Sequence, residues 1–117
     1  MSSTIYKICD VALWRDAEAA GTFRGAGIDT RDGYIHFSTA SQVKETAARH
    51  FAGVSDLLLI AIDAGRLGAA LRWEPARDGA LFPHFYGELP LACVLWVKPL
   101  PLAADGRHVF PELVPPI

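Results

Sequence analysis

Only two cysteines, Cys9 and Cys93, occur in the chain. They lie far apart, outside any CxxC or Cys/His ligand spacing, so neither a disulfide framework nor a zinc module is indicated. Both are expected to be reduced and mostly buried. Long apolar runs are missing too, and the opening MSSTIYKICD has no apolar stretch preceded by positive charge. No membrane contact and no secretory leader are therefore expected, and a cytoplasmic location follows as the default. Basic clustering is also absent: 11 Lys and Arg against 13 Asp and Glu give a net charge of -2, and the cations are scattered. Tight electrostatic binding to nucleic acid is disfavoured. No internal repeat is visible, and oligomeric state leaves no mark.

What is present suits one folded unit. Hydrophobic residues make up 51% and charged residues 21% of 117 positions, enough for one core and too few residues for two. Residues 1–117 are read as one domain with a Pro-rich tail from about 99, where five of the eight prolines fall. TIYKIC, residues 4–9, reads as a first strand. Asp10 caps a helix from Val11 to about Ala20, with Val11, Trp14 and Ala17 on one face and Gly21 as its stop. The 13 residues GTFRGAGIDTRDG form a loop, long enough to face a ligand. LLLIAID, residues 57–63, reads as a central buried strand. Short strands are expected around Leu71 to Glu74 and over 92–97, with a turn at Arg77-Asp78-Gly79. Trp14, Trp73 and Trp96 each sit in an apolar segment and read as core.

The chemistry gathers around two histidines. In GYIHFSTASQ a strand over 34–38 puts Tyr34, His36 and Ser38 on one face, with Ile35 and Phe37 on the other. Thr39 and Gln42 fit a capping box for a helix from Ala40 to about Ala52, whose N-terminus would hold a phosphate or carboxylate. In LFPHFYG an extended backbone aligns Phe82, His84 and Tyr86. His36 and His84 are thus expected to face one cleft; core histidines bonded to carbonyls are the bland alternative, of equal weight. A Ser38–His84 hydrolase lacks a G-x-S-x-G elbow, and no metal-ligand spacing joins His36 and His84 to Asp63 or Glu74. Glu74, before a proline, reads slightly better as a strand-end charge. His50, on the polar side of its helix, and His108, in the tail, suggest no chemistry.

The order IYKICDVALW, DGYIHFSTASQV, LLLIAID, LRWE and FPHFYGELP resembles the bacterial family called domain of unknown function 952, over nearly the whole chain to about Lys98. That family is similar to a minimal ADP-ribosyltransferase. The resemblance implies an α+β fold of two small packed β-sheets with flanking helices and a cleft for NAD as substrate, with no metal. It places Lys7 at the adenosine ribose or phosphates, and Tyr34, His36, Ser38 and Thr39 on the nicotinamide side. Lys7 stands where relatives usually carry histidine, and Glu74 and Glu88 are the nearest candidates for the superfamily's catalytic glutamate. His84 would serve as proton shuttle, and Tyr86 as a further cleft residue. Two function readings follow. One is an NAD-dependent transferase or glycohydrolase with His36, His84 and Glu74 as its catalytic set. The other is a non-catalytic module for a small anionic metabolite.

Overall fold

A computed structural model describes residues 3–113, so the tail beyond 113, with two of its prolines, lies outside the described residues. The strands are β1 (Thr4–Asp10), β2 (Thr22–Phe23), β3 (Ile35–His36), β4 (Leu57–Asp63), β5 (Leu71–Pro75), β6 (Leu81–Phe85), β7 (Leu89–Pro90) and β8 (Val94–Pro99). The helices are α1 (Val11–Ala20), α2 (Ile28–Asp32) and α3 (Val43–His50). All strand pairs are antiparallel, in two three-stranded sheets, β1-β4-β8 and β3-β6-β5, and a two-stranded ribbon, β2-β7. The fold is α+β, and no helix among the described residues is long and apolar enough to cross a membrane.

The apolar run of β4 becomes the middle strand of its sheet, buried on both faces. One face packs Ile60 and Ile62 with Ile5, Cys9, Trp14, Ile35 and Phe85, joining the two large sheets and α1 in one core. The other face packs Leu57, Leu59 and Ala61 with Tyr6, Val43, Ala47 and Leu100, under α3 and the tail. The tail is tied down by buried Leu100, whose N donates to Leu57 O at 3.0 Å, and by His108 Nε2, 2.8 Å from Val54 O, while a bridge between Leu102 and His108 folds it back on itself.

Helix α1 starts where Asp10 Oδ1 accepts from Ala12 N at 2.8 Å and stops at Gly21, whose left-handed φ of 85° suits glycine. Helix α3 is shorter than its sequence pattern. Residues 40–42 form a turn, because Gln42 Oε1 accepts from Thr39 N at 3.0 Å and Thr39 O accepts from both Gln42 N and Val43 N. The 21–33 loop also differs: it holds β2, paired to β7, and the single-turn α2. The last strand begins at Val94, two residues later than expected, because Leu91–Cys93 form a 3-10 turn. Trp73 is 44% exposed rather than core, since β5 is an edge strand with one face unpacked.

The device that positions the site is the end of β3. Phe37 N donates to Pro83 O at 3.0 Å, toward β6, whereas Ser38 exchanges both backbone bonds with Tyr6 of β1, at 2.7 and 2.9 Å. Successive residues of one strand thus pair with two different sheets. A cavity of about 470 Å³ opens beside this junction, lined by β1, α2, β3, β6 and one flank of α3.

Candidate functional site

His36 and His84 stand directly opposite each other in the β3–β6 register, with ring centroids 5.3 Å apart. The period of two carries Tyr34 and Tyr86 to one side of this pair. The Tyr34 ring lies 4.5 Å from His36, 4.3 Å from His84 and 5.1 Å from Tyr86, so it covers the histidine pair. Both imidazoles line the cavity, with Lys7, Ser38 and Phe82 nearby.

Each imidazole is backed by a carboxylate. His84 is buried, and its Nδ1 donates to Glu74 Oε1 at 2.9 Å; the same oxygen accepts from Tyr86 Oη at 2.7 Å. Those two bonds, Tyr86 first, lower the Glu74 pKa, and the Glu74 contact raises that of Tyr86. Glu74 is therefore no mere strand-end charge. Glu88 points elsewhere, exposed and paired with Arg24 at 3.2 Å.

His36 is held by Asp29, which is only 2% exposed. Asp29 Oδ1 accepts from His36 Nδ1 at 2.6 Å and His36 N at 3.1 Å; Oδ2 accepts from Ala26 N at 2.9 Å and faces Lys7 Nζ at 2.7 Å. Burial pushes the Asp29 pKa up. The His36 bond, the Lys7 charge and the Ala26 N–H together outweigh it, leaving the value at about 2. Lys7 also donates to His36 O at 3.1 Å, so its ammonium braces β3 from below. Asp32 completes the set, with Oδ2 3.0 Å from His36 Nε2.

Beyond the histidines, Ser38 Oγ is 2.9 Å from Thr46 Oγ1, which accepts from Arg77 Nη2 at 2.9 Å. Thr39 is not in the cavity lining; its hydroxyl meets Ser41 Oγ at 3.1 Å. The N-terminus of α3 does not face the cavity either. The helix contributes Thr46 and His50 instead; His50 is exposed, on the polar side of α3 as its sequence position indicates, and reaches the cavity rim. The far rim is apolar: Leu13, Ile28 and Val54 line the cavity and are among the exposed large hydrophobics.

Of the residues singled out in the sequence, His36, His84, Ser38 and Lys7 line the cavity; Tyr34 and Glu74 touch the imidazoles and Tyr86 touches Tyr34 and Glu74, all three outside the cavity lining, and Thr39 lies aside. Sequence reasoning missed Asp29 and Asp32. The available signal was their setting, two carboxylates in a glycine-rich loop of ligand-facing length immediately before the histidine strand. Among the described residues no group of three or more His, Cys, Asp and Glu side chains is arranged to hold a metal ion.

A family model described as protein of unknown function (DUF952) matches residues 8–97. The crystal structure of protein CC0527 from Caulobacter crescentus is 44% identical, covering 92% of this chain and 94% of that one, with a TM-score of 0.88. A solution NMR structure of CC0527 gives 45% identity over 89% of this chain and 90% of that one, with a TM-score of 0.80. No curated protein matches the chain.

Proposed function

The chain belongs to the DUF952 family, and from that premise we propose that its cleft binds NAD or a related phosphorylated nucleotide and cleaves or transfers at the glycosidic bond. The observation that carries this reading is the pair of imidazoles in register, His36 against Asp29 and His84 against Glu74, beside a cavity of about 470 Å³. Two titratable rings with different carboxylate partners are what a reaction needs when one group donates a proton and another accepts one. The ADP-ribosyltransferase likeness belongs to this reading. Two sheets that part beside a cleft, with Tyr34, His36 and Ser38 on the dividing strand, suit a nucleotide laid along that strand.

Roles follow from position. Glu74 supplies the negative charge that favours an oxocarbenium ion, and it holds His84 with Nδ1 protonated so that Nε2 is the working nitrogen. Tyr86 shares the Glu74 oxygen and orients it. The apolar rim of Leu13, Ile28 and Val54 suits a flat base. Lys7 supports β3 through Asp29 and the His36 carbonyl, and its contact with a phosphate would require that pair to open.

The second reading, a non-catalytic module for a small anionic metabolite, is favoured by one observation: both ring nitrogens of His36 already face carboxylates, which leaves that imidazole no free nitrogen for proton transfer. Calorimetry with NAD, ADP-ribose and nicotinamide, combined with an assay for nicotinamide release, separates the two. Binding with release, lost in His84→Ala, supports the enzyme; binding without release supports the module. Absence of any binding at millimolar ligand removes the nucleotide from both.

A further inference from the structure

We infer that the Nε2 edge of His36 is a subsite for an anionic oxygen of the ligand, phosphate or carboxylate, and that the Asp32 carboxylate occupies it as a displaceable stand-in. This deepens the preceding reading by naming an atom at the edge of the cleft, on the side where Asp32 and Tyr34 stand outside the cavity lining, that receives the negative group, and it rests on the cleft being a ligand site.

The hydrogen bonds of the His36 ring point there. A carboxylate can only accept, so His36 satisfies Asp29 at 2.6 Å and Asp32 at 3.0 Å together only with a proton on each ring nitrogen. The two acceptors differ sharply. Asp29 is buried, and its four short contacts to Lys7, Ala26 and His36 leave it no other arrangement. Asp32 is the last residue of the one-turn α2, its side chain is 26% exposed, and its other contact is to the exposed Arg31, Oδ1 to Nε at 3.0 Å. Asp29 therefore fixes the ring, whereas Asp32 contributes only a replaceable oxygen.

Displacement of Asp32 would leave two donors facing outward, His36 Nε2 and Arg31 Nε, with the Tyr34 ring as a wall. The charged and titratable groups around His36 are Lys7 from β1, Asp29 and Asp32 from α2, Tyr34, Glu74 from β5 and His84 from β6. Lys7 and Asp29 cancel one another. An incoming anionic oxygen in place of Asp32 preserves the local charge balance.

The test is a titration of the full chain with inorganic phosphate and, separately, acetate, read by the imidazole nitrogen resonances of His36 and by calorimetry. Asp32→Asn removes the competing charge while keeping the shape, and Asp32→Ala removes the side chain. An exposed ion pair is typically worth up to about 1 kcal/mol, so both variants should bind the anion up to about fivefold more tightly, with the Nε2 resonance moving on binding. Asp16→Ala, on the exposed face of α1, makes the same change in net charge and should bind like wild type. Equal affinities for Asp32→Asn and wild type overturn the inference, as does an equal gain in Asp16→Ala, which would mark a long-range charge effect. Phosphate binding enhanced in Asp32→Asn, with no response to NAD in either protein, would keep the subsite and remove the nucleotide. NAD binding indifferent to Asp32 would remove the subsite alone.

Discussion

One oxygen of Asp29 holds residue 36 twice: Oδ1 accepts from the His36 ring Nδ1 at 2.6 Å and from the His36 backbone N at 3.1 Å. Strand position and ring orientation are thereby set by a single buried atom from a different element. The other oxygen reaches Lys7 of β1 at 2.7 Å, so α2, β1 and β3 meet at one carboxylate.

Acid unfolding should report this carboxylate. The Asp29 pKa in the folded chain, about 2, lies below its ordinary value, so the folded state binds that proton less readily than the unfolded state. The stabilisation is complete above the unfolded value, near pH ~4, and is lost as pH falls toward 2. It amounts to roughly 2 kcal/mol. Urea melts stepped from pH 5 to pH 2 should show this limb, and Asp29→Asn should flatten it while lowering stability at pH 7 by about 3 kcal/mol, because the Lys7 ammonium is left buried without its partner. An unchanged acid limb in Asp29→Asn would assign the loss to other carboxylates.

Gly25 is required by the same carboxylate. Its φ is +113°, and a Cβ there would sit 2.8 Å from Asp29 Cβ, an atom fixed to the backbone. Gly25→Ala should cost about 1–3 kcal/mol and shift the His36 ring resonances. Gly21, left-handed with φ of +85° and open space around it, is the control, and its alanine variant should lose only about 1 kcal/mol with no effect on His36. Equal losses at the two positions would mean backbone strain alone.

What could be read in advance follows from how local each signal is. Residues 57–63 and Val11–Ala20 declare themselves because an apolar run, a capping Asp10 and a terminal Gly21 act within a few residues. The facing of His36 and His84 follows from strand alternation, although the capped helix after it is shorter than its pattern. Helix α2 is a single turn between glycines, too short for periodicity, and it persists through tertiary bonds to Lys7 and His36. A lone carboxylate in such a loop reads as a solvated charge, since its partner Lys7 lies far away in sequence. Trp73 differs from its sequence reading because periodicity shows which residues share a face, and only sheet order shows what that face meets.

Cys9 should be inert in the native protein. Burial pushes its thiol up to about 11, against a smaller opposing effect of Lys7, and its Sγ donates to Asp10 O at 3.4 Å. Cys93 is also buried. Alkylation at pH 8 should therefore track global unfolding and appear only as denaturant rises. Fast labelling of Cys9 below the unfolding transition would mean that β1 opens locally.

Glu74 gives the sharpest test of the catalytic reading, because its side chain touches both His84 and Tyr86 but lies on an edge strand where substitution is tolerated. Glu74→Gln keeps the shape and removes the negative charge, and the amide nitrogen cannot accept from His84. If Glu74 stabilises positive charge at the anomeric carbon, nicotinamide release should fall by about a hundredfold, with NAD affinity within a few-fold of wild type. Tyr86→Phe leaves the Glu74–His84 bond in place and removes the bond that contributes most to lowering the Glu74 pKa. The acid side of the rate profile should consequently move to higher pH in Tyr86→Phe, with a smaller loss of rate. A structural role alone would lower thermal stability in both variants and leave the pH profile in place. Turnover measured from pH 4 to pH 8, alongside melting temperatures, separates these outcomes; a Glu74→Gln protein with wild-type turnover would remove Glu74 from the chemistry and leave His84 without a catalytic partner.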